Sequence, residues 1–318
     1  MNSNGFSSVF ADQLDAYIEF KRSTGCYGAS RIWYLRQFDA YCTEHGLEEF
    51  DQDTVEGWVA ERVSVSGRYR SWMSYIRDFG RFLRATGHTD AYVLSGRWKA
   101  EAVPAHPYLL SAAEIDAFFT AAARLRAASP WRWQSTAFFR LMHSLGLRTG
   151  EARHLRTGQV DLPGRHIDVV WSKARRSRRL PITDDVADIL TACDTETTRR
   201  FGSARDAFFV SAAGTTIWPA SVGVVFNRIW DAAGLARPVG GRRPRPYDFR
   251  HHFAYANIER WMADGIDVAA MLPYLSAYMG HATVESTYYY IHTSPDFMDG
   301  YADLTRETAS LLPEVGFE

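Results

Sequence analysis

The 318-residue sequence predicts a mainly helical protein with one small β-hairpin, built as a four-helix N-terminal domain followed by a larger mixed α/β domain. Three observations predict this class. Apolar residues recur at helical spacing through most of the chain, strand-like runs appear only between His166 and Ile182, and a stretch with two prolines and no periodicity, residues 99–107, separates the two parts. At roughly 100–200 residues per domain the length also favours two domains.

Residues 1–98 read as four helices. Phe10, Leu14, Tyr17 and Ile18 mark the first, and Leu35, Phe38 and Cys42 the second, which stops before Gly46. Val55, Trp58 and Val59 mark the third; Tyr69, Trp72, Met73, Ile76, Phe79 and Leu83 mark the fourth, which stops before Gly87. In the second domain, 108–318, Ser111 and Glu114 form a capping-box pattern ahead of Ile115, Phe118 and Phe119, and an apolar helix from Trp133 to Leu145 ends at Gly146. The runs His166–Trp171 and Arg179–Ile182 flank the basic turn Ser172–Arg178, which predicts a hairpin. From Asp184 the pattern is mostly helical again.

The composition, 46% hydrophobic and 23% charged, excludes a disordered or fibrous chain. Thirty-six basic against 37 acidic residues leave a net charge of −1, so a polyanionic partner is not written in the total. Cys26, Cys42 and Cys193 are far apart and fit neither a disulfide framework nor a zinc site, which predicts a reduced, cytoplasmic protein. No run reaches the ~18 apolar residues of a membrane span, and the N-terminus lacks a signal peptide's basic and apolar regions, so no membrane role is expected.

Charge is unevenly distributed. The segment Arg165–Arg179 has a local charge of +5 and Arg237–His252 one of +4, each ordinary for a solvated turn but also suited to phosphate. Arg175, Arg176, Arg178, Arg242, Arg243 and Arg245 are therefore candidate contacts for a phosphate-bearing partner; Arg68, Arg70, Arg77 and Arg81 in the first domain are further candidates, as easily read as solvated surface.

Five short boxes follow in order: Gly146-Leu147-Arg148-Thr149-Gly150-Glu151; Lys173 in the hairpin; Tyr247-Asp248-Phe249-Arg250-His251; Met279-Gly280-His281; and Tyr290-Ile291-His292. In order and spacing they resemble the tyrosine recombinases of the phage-integrase family. Arg148 and Arg250 stand roughly a hundred residues apart and Tyr290 nine after His281. Each box alone is weak, but five in sequence cover the whole second domain. The N-terminal helices are similar to that family's core-binding domain in size and placement only.

The resemblance implies a site-specific DNA recombinase. Tyr290 would attack the scissile phosphate, giving a 3′-phosphotyrosyl link and a free 5′-hydroxyl, with the bond energy kept for rejoining. Arg148 and Arg250 would bind the non-bridging oxygens, since planar, permanently charged guanidinium groups suit a phosphorane-like state. Lys173, one of only three lysines, would protonate the leaving oxygen, which an arginine cannot do. His281 would bind a non-bridging oxygen or orient the site, and Glu151, His251 and His292 would support it. Tyr288 and Tyr289 read as packing. No metal or other cofactor is implied, and no phosphate-binding glycine loop or carboxylate cluster is present in the sequence.

One position departs from the pattern. The family most often has His where this chain has Tyr247. A tyrosine hydroxyl donates a hydrogen bond but, with an ordinary pKa near 10, is a poor proton acceptor at neutral pH. Three readings follow: Tyr247 serves only as a phosphate donor, neighbouring His251 or His252 takes the proton, or the positive site lowers the pKa of Tyr290; the first and third together are the expectation. The segment from Phe297, with Met298, Tyr301, Leu304, Leu311 and Leu312, is amphipathic and too short for its own core. The family's tails dock on neighbouring protomers, which implies a homotetramer on double-stranded DNA carrying a specific target site; the alternative is that the tail folds back onto its own domain. A type IB topoisomerase-like relaxing enzyme and a DNA-binding protein without catalysis are the alternatives.

Overall fold

The computed structural model describes residues 4–25, 28–66, 70–98, 107–170, 177–237, 243–281, 283 and 287. The chain forms two compact units, Met1–Pro104 and Ala105–Glu318. Of the expected linker 99–107, only Pro107 belongs to the described residues.

The first unit holds α1 (Ala11–Ser23), α2 (Ala29–His45), α3 (Gln52–Ser66) and α4 (Met73–Ala85). Their apolar faces meet in an aromatic core in which Tyr17, Phe38, Trp58, Trp72 and Phe79 are at most 1% exposed. Edge-on ring contacts, such as Trp58 on Trp72 at 5.0 Å, suit the quadrupoles of such a core. Trp72 stands one residue ahead of the first residue of α4 as its N-cap, keeps helical backbone angles, and packs on Trp58 and Tyr34. Arg70 and Arg77, candidate DNA contacts in the sequence, are engaged within the protein. Arg77 donates to the Leu94 and Ser95 carbonyls at 2.7 and 3.0 Å, and Arg70 to that of Trp98 at 2.9 Å, so both tie down the segment that follows α4. Arg81 is exposed near Asp78, and Arg68 lies outside the described residues.

The second unit runs α5 (Ala112–Ala123), α6 (Trp131–Leu145), α7 (Thr149–Arg153), β1 (Val160–Asp161), β2 (His166–Val169), β3 (Arg178–Pro181), α8 (Asp184–Phe201), α9 (Pro219–Ala232), α10 (Asp248–Ala263) and α11 (Val268–Met279). The mainly helical class with a small sheet is thus the observed one. Ser111 and Glu114 make the reciprocal bonds of a capping box at the start of α5. The sheet is antiparallel in the order β1-β2-β3, with Ile167 opposite Leu180 and Val169 opposite Arg178. Its alternating burial puts Ile167, Val169 and Leu180 into the core. The two-residue β1 was not expected, since so short a strand leaves no periodic signal.

Helix α6 is the pillar of this unit. Phe138, Phe139, Leu141 and Met142 are wholly buried, and Phe118, Phe226 and Phe249 from α5, α9 and α10 pack with them. Gln134 is buried too, and its amide both donates to and accepts from the Val210 backbone at 2.8 and 3.0 Å, satisfying groups that would otherwise be stranded. Helices α10 and α11 form a second apolar cluster through Ile258, Trp261, Leu272 and Met279. Among the described residues no helix is long and apolar enough to cross a membrane.

Candidate active site

The site gathers at three chain ends: the C-terminus of α6, the first turn of α10 and the C-terminus of α11. Helix α6 ends at Gly146 in the left-handed conformation, φ 60°. A Cβ there would lie 2.6 Å from the Phe253 ring, so glycine is required twice, for its φ and for the close approach of α10. Helix α11 ends at Gly280, φ 65°, also left-handed. These two turns expose the carbonyls of Gly146, Met279 and Gly280 to the arginines.

Arg250, on the first turn of α10, is fully buried. It donates to the Gly146 carbonyl, to the Met279 carbonyl at 2.7 Å and to His281 Nε2 at 2.8 Å. A buried guanidinium tolerates removal from water only with such partners. Because an arginine can only donate, Nε2 of His281 must accept, which places the ring proton on Nδ1. Nδ1–H then donates to Thr287 Oγ1 at 2.8 Å. Burial, reinforced by the charges of Arg250, Arg148 and Arg178, brings the His281 pKa down to about 3, so the ring is neutral at physiological pH.

Arg148 caps α7 and is one-fifth exposed, with its side chain at 21%. Its Nη1 meets Glu151 Oε1 at 2.8 Å, its backbone N–H reaches Oε2 at 2.9 Å, and its Nη2 donates to the Gly280 carbonyl at 2.9 Å. Arg148 and Arg250 therefore take consecutive carbonyls of one turn, next to His281. Glu151 is the carboxylate of this cluster. Burial alone would raise its pKa, but hydrogen bonds and charges from Arg178 and Arg148 outweigh that and hold it below the usual carboxylate range.

Arg178, a candidate DNA contact in the sequence, is turned towards Glu151. Its side chain is only 8% exposed, and its two terminal nitrogens meet both Glu151 oxygens at 3.1 and 2.8 Å. Nothing local in the chain separates it from its neighbours, because the whole segment is basic and only the pairing of β3 turns this one arginine inward. The glycine carbonyls that accept from Arg148 and Arg250 were likewise missed as acceptors, although Gly146 was legible as a helix stop.

Tyr247 is the half-buried N-cap of α10, and its carbonyl accepts from the Arg250 N–H at 3.0 Å. Its ring stands edge-on against that of buried His251, with centroids 4.9 Å apart. Half-buried His252 stacks on half-buried His143 at 5.3 Å, and His143 meets the ring of Phe249 edge-on. Burial lowers both imidazole pKa values, that of His143 to about 4, so neither is a ready cation near neutrality. Arg243 and Arg245 are exposed, and Asp248 accepts from the Arg245 backbone at 2.7 Å to start α10. Lys173, Arg175, Arg176, Arg242, Tyr290 and His292 lie outside the described residues, as does the segment from Phe297.

Comparison with known proteins agrees with this arrangement. The model of the phage integrase family matches residues 109–296. The chain is 29% identical over 304 residues to a protein named integrase/recombinase y4rE from Sinorhizobium fredii, covering 92% of this chain and 94% of that one. It is 25% identical over 310 residues to the tyrosine recombinase XerD of Bifidobacterium longum, covering 92% and 95%. Its fold is similar to that of a chain in a lambda integrase tetramer bound to a Holliday junction, with a TM-score of 0.59 at 17% identity over 91% of this chain and 78% of that one. The match over more than half of its length, across the part that holds Arg148, Glu151, Arg250 and His281, places this chain in the phage integrase family, as a site-specific tyrosine recombinase that cuts and rejoins DNA through a tyrosine-linked intermediate.

Proposed function

We propose that the site works on a single scissile phosphate held at the turn of Met279, Gly280 and His281. The observation that carries this reading is the convergence of Arg148 and Arg250 on consecutive carbonyls of that turn, beside a neutral His281. Arg148 is partly exposed and offers its remaining N–H groups to a non-bridging oxygen. Arg250, sealed in the core, engages phosphate as the anion takes the place of a carbonyl partner, and its charge favours the anion before contact. His281 accepts from Arg250 and so sets the plane of that guanidinium.

Tyr290 is the nucleophile in this reading. Its phenolate attacks phosphorus, the bond to the 5′-oxygen breaks, and Lys173 gives that oxygen a proton; rejoining runs the same steps backwards. Tyr247 donates to phosphate, the cluster of positive charge favours the Tyr290 phenolate, and His251 and His292 support the site. Arg175, Arg176, Arg242, Arg243 and Arg245 hold the flanking DNA backbone. The 1–98 domain is the core-binding half of a clamp on double-stranded DNA, joined through residues 99–107 to the catalytic domain 108–318. Four copies assemble through the tail on a specific target site in the cytoplasm, an arrangement supported by the likeness to the lambda integrase tetramer.

A nicked suicide duplex tests the chemistry. The wild-type protein is expected to form an adduct that resists denaturant, and Tyr290→Phe to form none while binding DNA equally well. An adduct persisting in Tyr290→Phe would remove that residue from the nucleophile role.

A further inference from the structure

We propose that Arg178 is a positioning residue of the active site, which fixes the Arg148 guanidinium through the carboxylate of Glu151 instead of binding DNA itself. The inference rests on the reading of the site given above. Four donors saturate the Glu151 carboxylate: Nη1 and the backbone N–H of Arg148 at 2.8 and 2.9 Å, and Nη1 and Nη2 of Arg178 at 3.1 and 2.8 Å. With both oxygens engaged by the two-pronged grip of Arg178, the carboxylate cannot rotate, and the Arg148 fork that meets it is aimed in one direction.

The same guanidinium presses on the turn that receives Arg148. A Cβ at Gly280 would lie 2.8 Å from Arg178 Nη1 and 3.1 Å from its Cζ. Arg178 thus touches Glu151 on one side and the Gly280 turn on the other, and Arg148 spans the same two points from the opposite direction. The four residues close a ring drawn from β3, α7 and the end of α11. Arg178 is also paired with Val169 at the foot of the hairpin, five residues after Lys173, so the ring anchors the strand that leaves the basic turn. Its 8% exposure leaves it little surface for a DNA phosphate.

The test compares the full-length wild type with Arg178→Lys and Arg178→Ala on suicide duplexes whose scissile group is either a phosphate or a neutral methylphosphonate. At saturating DNA the cleavage rate on phosphate should fall about 10-fold for Arg178→Lys and about 100-fold for Arg178→Ala, the range for a misplaced transition-state donor. Kd and its salt slope should stay within about twofold. On methylphosphonate, which has one charged oxygen fewer to neutralise, the deficit should shrink to less than about threefold. A salt slope lower by about one would make Arg178 a phosphate contact and overturn the proposal. An equal deficit on both linkages would do so too, by making the residue merely structural. Should Arg178→Ala fail to fold, as judged by circular dichroism, Arg178→Lys decides alone. If the wild type forms no adduct, the proposed chemistry fails; if it does and the variants cleave like it, only the role of Arg178 fails.

Discussion

Changing Glu151 to Gln preserves shape and removes one charge, and the structure sets the size of the effect. The side chains of Glu151 and Arg178 are 3% and 8% exposed and that of Arg148 21%, so water screens these pairs weakly. With charge centres about 4 Å apart and an effective dielectric near 20, each guanidinium contributes about 4 kcal/mol of attraction. Against the two together stands the desolvation of the carboxylate, several kcal/mol. Losing one partner of such a buried pair costs about 3–5 kcal/mol, because the charges left behind stay buried. For a unit of this size that amounts to a fall in melting temperature of roughly 6–20 °C. Calorimetry of Glu151→Gln at pH 7.5, beside wild type, measures it. A fall below about 3 °C with undiminished suicide-substrate cleavage would refute the claim that this carboxylate organises the arginines.

Two other outcomes are expected. Gly280→Ala places a side chain at φ 65°, about 1–2 kcal/mol of strain, and drives its Cβ into Arg178, whereas Gly234→Ala, at φ 69° with open space around it, has the strain alone. Gly280→Ala should therefore melt lower than Gly234→Ala and cleave more slowly, and equal melting would argue against the contact. For acid stability, burial and the nearby His252 and Arg140 lower the His143 pKa from 6.5 to about 4. The unfolded chain then binds the proton more tightly, so stability is complete above about pH 6.5 and falls as the pH drops towards 4, by about 3 kcal/mol from this group. Neutral His281 acts in the same direction. His143→Phe should flatten, without abolishing, the loss of melting temperature between pH 7.5 and 5, and an unchanged acid limb would show that His143 titrates normally.

Much of this molecule was legible in its sequence, because the signals concerned are local. Helical spacing marked α1 to α4, the Ser111 and Glu114 pair marked the start of α5, and Gly146 marked the end of α6. The change of period found the hairpin, and the five boxes pointed to the family. Each is decided within a few residues by backbone sterics, capping or the periodicity of side chains. The net charge of −1 was uninformative, since the total does not record where charges meet.

What the sequence by itself could not determine was the use to which each arginine is put. Arg70, Arg77 and Arg178 read as solvent-facing or DNA-facing residues, yet all three bond to the protein itself, the first two to backbone carbonyls and Arg178 to Glu151. Only the tertiary structure decided this, by laying the segment Leu94–Trp98 along Arg70 and Arg77 and by turning Arg178 towards Glu151, as it also brought the ends of α6 and α11 to Arg250 and Arg148. A guanidinium takes its role from which acceptors lie within about 3 Å and how much water is excluded, and here donor and acceptor stand as far apart in the chain as Arg250 and the Gly146 carbonyl, or Arg148 and the Gly280 carbonyl.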